Sequence, residues 1–158
     1  MKKILILLAI CVFCGCKEKI AGQGSGKGIV TIRVKDLPVK VEVAGSRRER
    51  SVGLSGIKRL KNYSGMLFVF PEEGKHTFWM KNCLLDLDIA FVDSSGSILK
   101  ILTMKKQPQN IPDFLLKTYE PGTDRVKYAL EMNSGWFNEN SVKEGDKLKL
   151  PLLEKPAD

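Results

Sequence analysis

The sequence predicts a mostly β (α+β) domain, a small barrel or sandwich of short strands with one or two short helices. Val39, Val41 and Val43 alternate with Lys40 and Glu42, which is the period of two expected of a half-buried strand. Turn signals rich in Gly, Pro, Asp and Ser separate several such runs. A length of 158 residues suits one domain with its own core.

The other elements follow in order along the chain. The run 66–70 is apolar on both faces, as in a central buried strand. The pattern Ser46-x-x-Glu49 is a capping box, so a helix of about two turns should begin at Arg47. A single helical turn is expected at 136–140, and segment 105–125, with three prolines, is expected to be a long irregular loop. Further strands are predicted at 29–34, 77–80, 85–91, 97–104, 128–132 and 145–150.

The start of the chain indicates export. A basic start and the apolar run 4–12, too short to span a bilayer, predict a signal peptide at residues 1–15. Its end resembles a bacterial lipobox, which implies that Cys16 carries lipid. Residues 16–28, rich in glycine towards their end, then read as a flexible tether to a domain at 29–158. We therefore expect an exported, membrane-anchored lipoprotein that faces the periplasm or the cell exterior.

Charge and cysteine usage narrow the function classes. The formal charge of +8 falls to +6 once Lys2 and Lys3 are removed with the signal peptide. For an exported chain, anionic lipid headgroups or acidic glycans are better expected partners than nucleic acid, and a basic surface can also serve solubility alone. Cys83 would be the free cysteine of the domain, either buried and inert or a nucleophile paired with His76.

Three stretches carry a resemblance to a known family. They are GMLFVF at 65–70, FWMKN at 78–82 and LDIAFVD at 87–93, supported by YALE at 128–131. Over about residues 39–150 the chain resembles the DUF192 family. The family is of unknown function, so the resemblance implies a fold and a motif rather than a reaction. Cys83 and Asp86 stand where family members commonly have Thr and Pro.

The FWMKN stretch supplies the candidate ligand-binding residues, which are Trp79, Lys81 and Asn82, together with Asp88. A tryptophan beside a lysine can form a stacking surface with a cationic edge, as sugar and aromatic ligands require. Alternatively, Trp79 fills the core, the stem of Lys81 covers apolar surface and Asn82 bonds backbone in a turn.

Three carboxylates are the candidate catalytic residues. Asp86 and Asp88 would share one face of a strand and could serve acid–base chemistry, although paired acids are also common on solvated faces. Glu131 lies in an apolar strand and could be half-buried, with Arg50 or Lys127 as a salt-bridge partner. Zinc, phosphate-loop, catalytic-triad and nucleotide motifs are lacking in the sequence.

These observations favour a membrane-tethered binding or envelope-associated module for a polar ligand such as a saccharide. The alternative is a hydrolase that uses the paired carboxylates. A third hypothesis is that segment 105–125 docks an envelope protein. We predict no cofactor, no metal and no nucleic-acid partner.

Overall fold

A computed structural model describes residues 28–151. The predicted signal peptide, Cys16 and nearly all of the predicted tether lie outside the described residues. Within them the architecture is mostly β, as predicted, with two short α-helices and a curled sheet that forms a half-barrel.

The described part contains nine strands and two α-helices. The helices are α1 (Arg47–Val52) and α2 (Trp136–Glu139), and a short 3₁₀ helix spans Asp113–Leu115. The strands are β1 (Ile29–Val34), β2 (Leu37–Ala44), β3 (Ser64–Gly74), β4 (Phe78–Trp79), β5 (Leu87–Val92), β6 (Ile98–Met104), β7 (Thr118–Tyr119), β8 (Val126–Asn133) and β9 (Leu148–Lys149).

Seven strands form the main sheet in the order β6-β5-β8-β3-β2-β1-β9. Strands β2 and β3 pair in parallel, and the other pairs of the main sheet are antiparallel. The apolar run predicted to be central lies in β3, the middle strand of the seven. Strands β4 and β7 form a separate two-stranded sheet.

The main sheet buries both of its faces, in two separate cores. Along β3, Leu67 belongs to the first core and Phe68 to the second. Along β8, Leu130 belongs to the first core and Ala129 to the second. Because side chains alternate across a strand, Glu131 follows Ala129 by two positions and lies on the face of the second core. This alternation decides which functional side chains can meet.

The capping box forms as the sequence predicts. The Ser46 hydroxyl accepts a hydrogen bond from the Glu49 amide at 3.2 Å, and the Glu49 carboxylate accepts one from the Ser46 amide at 2.8 Å. The helix ends at Gly53, whose φ of 51° is a conformation that glycine adopts readily. These local bonds fix where α1 presents Arg47 and Arg50.

The expectation of an irregular loop at 105–125 is wrong in part. This segment contains the 3₁₀ helix and β7, and Phe78 and Trp79 of β4 pair with Tyr119 and Thr118 of β7. Strands of two residues have no readable periodicity, so this non-local pairing left no signal in the sequence. The strands predicted at 77–80 and 145–150 are present but shorter than expected, as β4 and β9.

Candidate ligand-binding site

A pocket of about 540 Å³ opens between α1, β3 and the segment around β4, on the face of the second core. We call it the first pocket. Its volume lies in the range typical of small-molecule sites. Its lining includes aromatic rings, cationic side chains and one carboxyl group. These groups are Phe68, Phe70, Phe78, Arg47, Arg50, Lys81, Trp79 and Glu131.

Aromatic packing positions β4 at this pocket. The Phe78 ring meets the rings of Phe68 and Phe91 edge-on, with centroids 5.0 and 5.6 Å apart. Because Phe78 points into the second core, the next side chain of the strand, Trp79, points away from it. Trp79 is 51% exposed. It is therefore a surface aromatic beside the pocket, and the alternative that it fills the core is wrong.

Lys81 is held beside the pocket by two contacts. Its ammonium forms an ion pair with Asp113 of the 3₁₀ helix at 2.7 Å, and its carbonyl accepts a hydrogen bond from the Ser55 hydroxyl at 3.0 Å. Segment 105–125 therefore helps to orient a pocket residue. Because both charged groups are well exposed, the ion pair itself contributes little to stability.

The sequence interpretation did not place α1 beside the ligand-binding residues, yet Arg47 and Arg50 of this helix line the first pocket. Arg50 donates a hydrogen bond to the Val69 carbonyl at 3.1 Å and another to the Gly45 carbonyl, and its guanidinium lies 5.4 Å from the centre of the Phe70 ring. Among the described residues, neither Arg47 nor Arg50 forms an ion pair, so both keep their positive charge available. The capping box carried the missing signal, since residues three apart on a helix lie on one face.

Glu131 is the unusual group of this site. It is 4% exposed on β8, opposite Met66 on one neighbouring strand and Ile89 on the other. No group within residues 28–151 donates a hydrogen bond to its carboxyl or forms an ion pair with it. Burial raises its pKa to about 8. The carboxyl is therefore mostly protonated at neutral pH and carries an O–H that can donate a hydrogen bond.

The predicted salt bridge of Glu131 is wrong for both candidate partners. Arg50 bonds the carbonyls described above, and the Lys127 ammonium donates to the Pro71 carbonyl at 2.6 Å. Each cation instead satisfies a backbone carbonyl of β3.

Cys83 and His76 also line the first pocket, but they do not form a nucleophile–base pair. Burial, with a smaller contribution from the charge of Glu131, raises the pKa of the Cys83 thiol to about 11, so the reactive thiolate is rare. The His76 ring stacks on Phe70 with centroids 3.5 Å apart, and burial lowers its pKa. No hydrogen bond joins the two side chains in the described part of the chain.

Asp88 lies on the opposite face of the sheet from Glu131. The Thr103 hydroxyl and the Gly135 amide each donate a hydrogen bond to its carboxylate at 2.8 Å, and it is 4% exposed. The expectation of a solvated face is therefore wrong for Asp88, which joins β6 to the start of α2.

Asp86 accepts hydrogen bonds from the Lys106 amide at 2.8 Å and the Lys105 ammonium at 3.0 Å, which lower its pKa.

Asn82 lies in a turn, where its main chain makes a hydrogen bond, and no hydrogen bond of its side chain is present within residues 28–151. Its φ is 57°, in the left-handed region that asparagine tolerates, and its main-chain carbonyl accepts a hydrogen bond from the Gly56 amide at 2.9 Å.

The first pocket thus brings together Trp79, Lys81 and Glu131 of the predicted site residues. It does not include Asn82, Asp86 or Asp88.

The family model of DUF192, described as "Uncharacterized ACR", matches residues 29–150. The chain belongs to the DUF192 family. The motifs that carry the resemblance in the sequence all lie within the matched range. Trp79, Lys81 and Glu131, the pocket residues predicted from the sequence, also lie within it.

Two solved structures resemble this DUF192 chain, each with a TM-score of 0.69 and 26% sequence identity over 80% of the chain. One is from Sinorhizobium meliloti 1021 and is described as a "putative transcription regulator"; the match covers 97% of it. The other is a protein of unknown function from Novosphingobium aromaticivorans DSM 12444, of which 88% is covered. None of the curated proteins compared with the chain matches it.

Residues 28–151 of this DUF192 chain lack two structural features. No group of three or more His, Cys, Asp or Glu side chains within residues 28–151 is arranged to hold a metal ion. No helix within the same residues is long and apolar enough to cross a membrane.

Proposed function

We propose that this DUF192 chain is a membrane-tethered, extracytoplasmic binding module whose first pocket takes a polar ligand such as a saccharide. One observation carries the proposal. A buried carboxyl without a protein partner in the described chain, Glu131, lines a pocket of ligand size beside the exposed ring of Trp79.

The unpaired Glu131 carboxyl favours binding of a ligand that can hydrogen-bond to it. Burying a polar group without a hydrogen-bond partner destabilises the fold, and Glu131 carries this cost in the free protein. A ligand oxygen that accepts a hydrogen bond from the protonated Glu131 carboxyl would offset this cost. A sugar offers such oxygens, and its apolar ring face would stack on Trp79.

The charged side chains that line the first pocket indicate which class of ligand it binds. Arg47 and Arg50 line the pocket, as does Lys81, whose ammonium is paired with Asp113. Glu131 is the one acidic lining residue and is mostly protonated at neutral pH. The pocket is therefore positively charged, which favours a ligand that carries a negative group. A saccharide that bears a carboxylate, as peptidoglycan fragments do, combines the ring, the oxygens and the charge.

Replacing Trp79 by Ala should weaken binding to isolated cell-wall material and to soluble peptidoglycan fragments by about tenfold, since stacking on the ring is lost. Calorimetric titration of the fragments measures this. Phe114→Ala is the matched control, because Phe114 is 85% exposed and does not line the pocket. Equal affinities for Trp79→Ala and the parent chain would rule the pocket out as the binding site.

The membrane attachment is supported by the basic start, the apolar run and the lipobox-like end before Cys16. Lipid on Cys16 would hold the domain at the membrane firmly if more than one chain is attached. Cys16→Ala should therefore move the protein from the membrane fraction to the soluble fraction, whereas Cys14→Ala should leave it at the membrane. Retention of the Cys16→Ala protein at the membrane would contradict the anchor.

The hydrolase alternative stays a prediction. Its paired carboxylates, Asp86 and Asp88, lie outside the first pocket. Within that pocket, protonated Glu131 could serve as a general acid, but the lining has no second carboxylate.

Docking of an envelope protein on segment 105–125 also stays a prediction. That segment exposes Phe114 and Leu115, at 85% and 58%.

A further inference from the structure

Three connections of the main sheet cover the second core, and they carry nearly all of the net charge of the chain. They run from β2 to β3 at 45–63, from β3 to β5 at 75–86 and from β6 to β8 at 105–125. Each buries apolar side chains in the second core, among them Leu54, Phe78 and Tyr119. Together they hold twelve of the 26 Lys and Arg residues but five of the 18 Asp and Glu residues, whereas the rest of the chain holds 14 and 13. We call the outer surface of the three connections the basic face.

Most cations of the basic face have no acidic partner. Lys75, Lys81 and Lys105 form ion pairs with three carboxylates of the same face, whereas the other nine cations form no ion pair within residues 28–151. The connection over the first core differs, since segment 134–147 holds two cations and three carboxylates. The positive charge therefore lies on one side of the domain, as a surface for an extended anionic partner requires.

The same face exposes large apolar side chains. Of the six that are exposed in the described part of the chain, five lie in these three connections. Phe114 is the most exposed of the six, and Leu115 follows it in the 3₁₀ helix. An exposed apolar patch surrounded by polar groups is typical of a surface that contacts a protein or a membrane.

The loop 107–117, which presents both side chains, is closed by hydrogen bonds at its base. The Gln107 side chain donates to the Lys117 carbonyl at 3.3 Å and accepts from the Lys117 amide at 2.8 Å. The ion pair between Asp113 and Lys81 places the tip of the loop beside β4. The apolar side chains are therefore exposed on an ordered loop, and little conformational entropy is lost when they become buried.

The predicted tether enters the domain at the edge of the basic face. The Gly28 carbonyl accepts a hydrogen bond from the Val43 amide at 3.3 Å, and the first of the three connections begins two residues later. Twelve residues separate Cys16 from Ile29, and they span at most about 40 Å when fully extended. A membrane anchor at Cys16 would therefore keep this face within reach of the lipid surface at a high effective concentration.

We infer that the basic face docks on a membrane surface that contains anionic phospholipids, with Phe114 and Leu115 inserted among the lipids and the unpaired cations at the phosphate groups. Apolar side chains beside lysines and arginines are the combination that binds such a surface. A nucleic acid would attract the cations but offers no apolar layer for the tip of the loop. The inference rests on the proposed membrane anchor, which brings the face to the lipid, but not on the ligand of the first pocket.

Quenching by brominated lipid measures the insertion of the loop tip. The full chain, isolated from membranes, is reconstituted into phosphatidylcholine vesicles with brominated acyl chains, with and without phosphatidylglycerol. Phe114→Trp in the Trp79→Phe background supplies the probe, because the remaining Trp136 is buried. Asn138→Trp in the same background is the matched control, at an exposed position of α2 on the side of the first core.

We expect quenching at position 114 to exceed quenching at position 138 severalfold when phosphatidylglycerol is present. High salt should reduce it, because salt screens the attraction between exposed charges. Combined replacement of three exposed cations, by Lys58→Ala, Arg59→Ala and Lys61→Ala, should reduce it as well. Lys143→Ala, in the connection over the first core, should not.

Equal quenching at the two positions would overturn the inference, as would quenching at position 114 that requires neither phosphatidylglycerol nor the three cations. Absence of quenching at position 114 would also overturn it and would favour an envelope protein as the partner of segment 105–125. The anchor is judged separately, by flotation with vesicles of phosphatidylcholine alone. A chain that does not float there but is quenched at position 114 by added phosphatidylglycerol vesicles would contradict the anchor and support docking of the basic face.

Discussion

Replacing Glu131 by Gln is expected to raise the free energy of unfolding above pH 8 by several kcal/mol. Burial raises the pKa of Glu131 from 4.5 to about 8 in the folded protein. Each pKa unit corresponds to about 1.4 kcal/mol. Glutamine has nearly the size of the neutral acid and still offers a donor and an acceptor, but it never has to ionise in the buried site.

The sign of the pH dependence follows from proton binding. Between pH 4.5 and about 8 the unfolded chain has released this proton while the folded chain retains it. The folded state then binds more protons, so the parent loses stability as pH rises through this window. Below pH 4.5 both states are protonated, and the contribution of Glu131 vanishes.

Urea unfolding of the parent and of Glu131→Gln from pH 5 to pH 9 measures the effect. The difference between the two removes contributions that they share, such as that of His76, whose pKa is lowered by burial. Glu72→Gln, at an exposed position of β3, is the matched control and should follow the parent. A constant difference between parent and Glu131→Gln across this range would show that the carboxyl titrates normally.

Gly65→Ala should destabilise the fold by about 3 kcal/mol or prevent folding, because the central sheet has no room for a methyl group there. A Cβ at Gly65 would overlap the Glu131 carbonyl oxygen and lie 2.5 Å from the Met132 sulfur. Strands β3 and β8 would have to separate at this point, and this would also displace the Glu131 side chain from the first pocket.

Thermal and urea unfolding compare this variant with Gly45→Ala. A Cβ at Gly45 would meet no atom within 4 Å, so that variant should differ from the parent by less than about 1 kcal/mol. Similar stabilities of Gly65→Ala and Gly45→Ala would mean that β3 and β8 are not packed as closely as described.

Local chemistry explains what could be predicted from the sequence. The capping box of Ser46 and Glu49 needs no distant partner, and α1 begins at Arg47 as expected. The apolar run 66–70 must be buried on both sides, and it lies in the central strand. The types and spacing of Trp79 and Lys81 already indicate a ligand surface in the sequence, and both residues line the first pocket.

Distant partners explain what could not be predicted. The buried Asp88 carboxylate accepts hydrogen bonds from Thr103 and Gly135, which are 15 and 47 residues away in sequence. Glu131 lacks a partner because Arg50 and Lys127 bond backbone carbonyls instead, and two of these, of Val69 and Pro71, belong to β3. Arg47 and Arg50 became pocket residues only because the curled sheet brings α1 beside β4.

Titration of the Glu131 side-chain carboxyl by ¹³C NMR, with and without soluble peptidoglycan fragments, tests most directly whether the first pocket is a ligand site. We expect a midpoint near pH 8 for the free protein and a higher midpoint with the fragments, because a ligand oxygen that accepts a hydrogen bond from the carboxyl O–H stabilises the protonated form. Affinity should fall accordingly above pH 8. A midpoint near 4.5 that the fragments leave unchanged would contradict both the buried carboxyl and its role in binding.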